Sequence, residues 1–138
     1  MSPGKITEVY VDGASRGNPG ESGIGVLIIR PDESRKEIRE YIGRGTNNEA
    51  EYKALITALG HLLAEQISEA KIHTDSQLVA SQMKGLWKVK DPKLRILHSE
   101  AKRLASSLAA LEIEYVPREN NVEADALANE AVDRYFND

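Results

Sequence analysis

Four acidic residues are set apart by their surroundings: Asp12 in YVDGAS, Glu51 in NNEAEYKAL, Asp75 in HTDSQ and Asp125 in VEADAL. Carboxylates gathered from distant segments are the donor set of hard divalent cations, and so of metal-assisted hydrolysis. The chain of 138 residues contains no cysteine, which excludes a disulfide framework and a thiolate metal site, so a bound metal must use carboxylates, histidines or carbonyls. Glu51 is the most telling of the four. It precedes Ala54, Leu55, Ala58 and Leu59 by three, four, seven and eight residues and therefore belongs to the buried stripe of a helix. An acid in a first helical turn gains from the helix dipole on the outer face, but an inward one costs several kcal/mol unless a cation accompanies it.

The other three acids each have an ordinary alternative when taken singly. Asp12 followed by Gly13 reads as a turn, Asp75 before Ser76 as a helix cap, and Asp125, three and seven residues before Ala128 and Val132, as an acid on a helix flank. Together, two acids at strand ends and two near helix starts converge on one place, and no compensating arginine is evident in these motifs. A divalent cation resolves that repulsion better than protonation does. His61, His73 and His98 fall on predicted helix or strand, lack ligand spacing and read as structural.

The elements that must position these acids follow from periodicity. Lys5 to Asp12 and Ser22 to Arg30 are rich in β-branched residues and are separated by GASRGNPGE, which reads as a turn; Lys36 to Arg44 makes a third strand, and short connections imply an antiparallel meander. Ala54, Leu55, Ala58, Leu59, Leu62 and Leu63 predict a helix over Asn47 to Gln66. Glu69 to Thr74 then reads as a strand parallel to its neighbour, Ser76 to Lys84 as a short helix, Pro92 to Leu111 as a longer one with proline at its start, Glu112 to Val116 as a last strand, and Asn121 to Phe136 as a closing helix. This is a mixed five-stranded α/β sheet covered by helices. Ligands of such sheets bind beyond the carboxyl ends of the parallel strands, where strand order reverses, which points to Asp12 and Asp75.

Length and apolar content suit one domain over residues 1–138. Apolar runs such as Ile24 to Ile29 are far shorter than the roughly 20 residues of a membrane span, and no leader pattern is present, so a soluble cytoplasmic monomer is expected. The net charge of −4 argues mildly against a nucleic-acid partner. Distribution matters more. Between Lys84 and Arg103 seven basic residues face only Asp91 and Glu100, a local excess of five positive charges, which is either a phosphate-binding surface or a solvated helical face.

With these residues in view, YVDGASRGNPGESGIGVLI, TNNEAEYKALITAL, HTDSQLV and ENNVEADALANEA resemble, in order and spacing, the four acidic blocks of type 1 ribonuclease H, and the likeness covers nearly the whole chain. The resemblance implies the ribonuclease H-like fold, strand order 3-2-1-4-5 with the first three strands antiparallel and helices on both faces. It implies an endonuclease that cuts the RNA strand of RNA:DNA hybrids with two Mg²⁺ or Mn²⁺ ions held by Asp12, Glu51, Asp75 and Asp125, leaving 5′-phosphate and 3′-hydroxyl ends. By the same resemblance, Gly13, Asn18, Asn47, Asn48, Ser76 and Gln77 line the minor groove and read the ribose 2′-hydroxyl, a task suited to groups that both donate and accept. Thr46 is similar to a position that holds a DNA-strand phosphate. For Asn47 and Asn48 the alternative is helix capping. Trp87, flanked by Lys84, Lys88 and Lys90, either lies along the DNA backbone or covers a helix as a half-buried core residue.

Two departures from the larger bacterial members are visible. GLWKVKDPKLR leaves little room for their lysine-rich helical protrusion, so hybrid affinity is weaker or rests on Lys88, Lys90 and Lys93. The loop VPRENN has no histidine before the last aspartate, leaving Arg118 or Glu119 as its substitute. The competing readings are a non-catalytic binder of hybrids or structured RNA, a related nuclease acting on double-stranded RNA, and a magnesium-binding structural protein.

Overall fold

The computed structural model describes residues 6–137. Three antiparallel strands open the fold, β1 (Thr7–Gly17), β2 (Gly20–Ile29) and β3 (Arg35–Gly45), followed by helix α1 (Asn47–Ala64), strand β4 (Glu69–Thr74), helices α2 (Gln77–Met83) and α3 (Pro92–Ala105), strand β5 (Ala110–Tyr115), a 3-10 turn at Arg118–Asn120 and helix α4 (Val122–Asn137). The sheet order is β3-β2-β1-β4-β5, with β4 parallel to both β1 and β5, as the resemblance implies. No helix among the described residues is long and apolar enough to cross a membrane.

Several boundaries differ from expectation. Lys5 of the first predicted strand lies outside the described residues. That strand does not stop at Asp12: β1 continues to Gly17 because Asp12 pairs with Gly25 and the ladder with β2 holds to Gly17 opposite Gly20, confining the turn to those few residues. The long helix ends at Ala105, not Leu111. Ser106 and Ser107 are weak helix formers, and Ala110 and Leu111 pair with Glu69 and Ala70, so inward-facing Ile113 is reached with strand periodicity. Pro92 does open α3, capped by the Asp91 side chain, which accepts from the Lys93 N–H at 2.8 Å.

Alternation along β1 assigns its residues to two faces. Val9 and Val11 are fully buried with Tyr52, Leu55, Leu59 and Leu62 of α1, and α3 closes over α1 through Leu94 and Ala101. Each fully buried aliphatic side chain contributes about 1.5–3 kcal/mol. Asp12 is on the opposite face, which α4 covers. There Gly23 and Gly25 let α4 sit directly on β2: a Cβ at Gly25 would stand 2.2 Å from the Ala124 carbonyl oxygen, and one at Gly23 2.6 Å from that of Ala128.

Candidate active site

The site lies where β4 stops and β1 goes on. The last pair between them is Val11 with Thr74, so the next N–H of β1 on that side, at Gly13, has no strand partner. It donates instead to Glu51 Oε1 at 2.6 Å. The contact requires glycine. A Cβ at Gly13 would meet the carbonyl carbon of Ala50 at 2.4 Å and the nitrogen of Glu51 at 2.5 Å, backbone atoms that no rotamer change can move. Helix α1 is fixed at that end by a capping box, in which Thr46 Oγ1 accepts from the Glu49 N–H and Glu49 Oε1 accepts from the Thr46 N–H, each at 3.1 Å. Capping therefore falls to Thr46 and not to Asn47 or Asn48.

Asp12, Glu51 and Asp75 each present a carboxylate oxygen, and the three atoms lie within 4.8 Å of one another. Asp12 is 5% exposed, so its charge is poorly solvated. Burial, then the negative charges of Glu51 and Asp75, hold the Asp12 carboxyl far above the ordinary carboxylate range. Burial, with Asp75 adding and the Gly13 N–H opposing, raises Glu51 as well. Asp125 stands outside that tight trio but lines the same cleft, of about 550 Å³, and hydrogen bonding with it adds to the rise at Asp12. Among the described residues, the cation within ion-pair distance of one of the four acids is Arg118, whose Nη2 is 3.9 Å from Asp125 Oδ1, and its side chain is 80% exposed, too solvated to balance the cluster. A partly buried set of hard oxygen donors with unbalanced charge suits a hard divalent cation.

The sign of these shifts yields a prediction. Both carboxyls bind protons more tightly folded than unfolded, so their own contribution to stability is fully present below the ordinary carboxylate range and is lost as pH rises through neutrality. Thermal melts in chelator should show the melting temperature dropping from about pH 5 to about pH 8, and Mg²⁺ should restore more of it at the higher pH. Equal stabilisation by Mg²⁺ at both pH values would contradict the charge account.

Of the other residues singled out in the sequence, Gly13, Asn47 and Arg118 line the acidic cleft. Asn18 lies beside them: its Oδ1 accepts from the Asn47 N–H at 3.1 Å, and Asn47 Oδ1 accepts from the Ser15 N–H at 3.1 Å. Ser76 caps α2, its Oγ accepting from the Val79 N–H at 3.2 Å, and Asn48 and Gln77 are exposed. Trp87 and Lys88 are not in this cleft. They line a separate groove between α2 and α3, held by Gln82, which accepts from the Tyr52 hydroxyl and donates to the Lys88 carbonyl, and Trp87 is 47% exposed. The histidines occupy packing positions: His73 stacks on Tyr10 and bonds Glu8, His98 bonds the Gln82 carbonyl, and His61 meets Lys36.

Sequence reasoning passed over Ser15, Arg16, Tyr115 and Asn129, which also line the cleft. Detecting Ser15 and Arg16 needed β1 to run beyond Asp12. It also passed over Asn121, buried at the start of α4, whose Nδ2 donates to the Val11 carbonyl at 2.9 Å and so ties α4 to the strand residue beside Asp12.

A family model described as reverse transcriptase-like matches residues 10–131. A bifunctional protein of Mycobacterium tuberculosis is 45% identical over 91% of this chain, which spans about a third (35%) of that relative's length. Among solved structures, RNase H1 of the halophilic archaeon Halobacterium salinarum superposes with a TM-score of 0.90 at 42% identity, covering 94% of this chain and 99% of that one. LC11-RNase H1 in complex with an RNA/DNA hybrid gives 0.88 at 38% identity, covering 94% and 99%.

Proposed function

The chain belongs to the reverse transcriptase-like family, as one of its ribonuclease H members, and from that premise we propose that it is an endonuclease hydrolysing the RNA strand of RNA:DNA hybrids. The observation that carries the reading is the partly buried, charge-unbalanced meeting of Asp12 of β1, Glu51 of α1 and Asp75 just past the end of β4. The hybrid held by LC11-RNase H1, similar over nearly the whole length, supports the choice of substrate.

On this reading Asp12, Glu51, Asp75 and Asp125 hold two divalent cations. When bound, these supply Lewis acidity, readying a water for in-line attack and neutralising charge at the leaving 3′ oxygen, so that products carry 5′-phosphate and 3′-hydroxyl ends. The protein's own residues do the rest. The Gly13 N–H orients Glu51, and Asn121 and the glycine seat of α4 fix Asp125 relative to Asp12. Asn18 and Asn47, with Ser76 and Gln77 at the start of α2 just after Asp75, offer the donors and acceptors that distinguish a ribose 2′-hydroxyl. Trp87, Lys88 and Arg118 are assigned to the flanking backbone, where their exposure suits phosphate contact, and the half-buried Thr46 to a phosphate of the DNA strand.

The test is cleavage of end-labelled RNA:DNA hybrid, double-stranded RNA and duplex DNA with Mg²⁺, Mn²⁺ or chelator. The expected result is nicking confined to the RNA of the hybrid, abolished by chelator, with 5′-phosphate ends. Tight hybrid binding without cleavage in any metal would instead favour a non-catalytic binder, and equal cleavage of double-stranded RNA would widen the substrate class.

A further inference from the structure

Asp125 is the one acid of the four that comes from α4, and the contacts around it form a chain leading back to β1. Asp125, Asn129 and Asp133 recur at intervals of four and make one stripe along the helix. Against that stripe lies Arg16 from the far end of β1. Its Nη2 is 2.7 Å from Asp133 Oδ1, 3.2 Å from Asn129 Oδ1 and 3.3 Å from the Asn129 carbonyl oxygen. A guanidinium only donates, so the amide of Asn129 must turn its oxygen to Arg16. Its nitrogen is thereby turned to Asp125, where it donates to the backbone carbonyl at 2.9 Å and to Oδ1 at 3.3 Å.

We propose that Asn129, locked by Arg16, is a positioning residue that holds Oδ1 of Asp125 on the helix side and presents its other oxygen to the cleft for the cation. The inference rests on the metal reading given above. Asn129 is the better restraint of the two available, because the other neighbour of Oδ1 is the solvated Arg118 at 3.9 Å. The extension of β1 five residues past Asp12 carries Arg16 to α4, so the strand that delivers one acid also reaches the residue that orients another. The relay makes the separation of Asp12 from Asp125 a property of one strand and one helix.

The test is Mn²⁺ titration of the full chain by calorimetry and thermal shift, without substrate, alongside steady-state cleavage of hybrid. Groups that orient a ligand from outside the coordination set are worth about 10- to 100-fold in metal affinity. Asn129→Ala should weaken Mn²⁺ binding by that factor, leave KM for hybrid near wild type and regain cleavage at high Mn²⁺. Arg16→Gln should act in the same direction and less strongly. The double variant should bind Mn²⁺ no more weakly than Asn129→Ala alone, because both changes act through one contact, whereas independent damage would add. Wild type that takes up no Mn²⁺ overturns the metal reading and the relay with it. Wild type that binds Mn²⁺ while Asn129→Ala binds it equally tightly, or a fully additive double variant, overturns the relay alone. If Asn129→Ala does not fold, Arg16→Gln decides, and an unchanged Mn²⁺ constant in that variant refutes the proposal.

Discussion

Asp12→Asn should lose hybrid cleavage by more than about 1000-fold while still binding hybrid, and in chelator it should melt at a higher temperature than wild type. The first part follows from position. Removing a group that merely orients a metal ligand costs about 10- to 100-fold, and Asp12, central to the acidic trio, is proposed to touch the metal itself. The second part follows from charge. The carboxyl is buried against Glu51 and Asp75, and an amide of the same shape removes that repulsion without opening a cavity. Single-turnover cleavage, a binding assay and thermal melts of the two proteins check all three statements. Activity within about tenfold of wild type would remove Asp12 from the chemistry.

Gly13→Ala should damage both stability and hybrid cleavage. One methyl group would press on the backbone of Ala50 and Glu51, so α1 must lift from β1. Overpacking of this kind costs about 1–3 kcal/mol. The functional loss should exceed what that destabilisation explains. Lifting α1 lengthens the contact of Gly13 N–H with Glu51, and a displacement near 1 Å at a reacting site costs about 100-fold. Urea denaturation separates the two effects from cleavage measured where the variant is fully folded. An alanine variant with wild-type cleavage would show that the close approach of α1 does not matter.

The inward Glu51 was legible because helical periodicity states which face a residue occupies, and a lone acid in an apolar stripe is costly wherever it occurs. The sheet order was legible from the alternation of strand-like and helix-like segments, helped by the resemblance. The end of β1 was not. Asp-Gly reads locally as a turn, and nothing in Ala14, Ser15 and Arg16 marks a strand; their pairing with Gly23, Ser22 and Glu21 on β2 keeps them extended. The restraint on Asp125 was equally hidden, since Arg16 and Asn129 are 113 residues apart and meet only because α4 crosses that strand. Trp87 and Lys88 were recognisable as a pair but not as tenants of a groove apart from the acids, because their loop is set by Gln82 and Tyr52 from elsewhere in the chain.

Helix α4 follows every other element in chain order and alone brings Asp125 to the cleft. On the proposed reading, a polypeptide whose α4 has not yet left the ribosome carries three of the needed carboxylates with no fourth to complete them, and so stays inert toward the hybrids and transcripts around it. Catalytic competence would then arrive in one step, when α4 docks onto the glycines of β2.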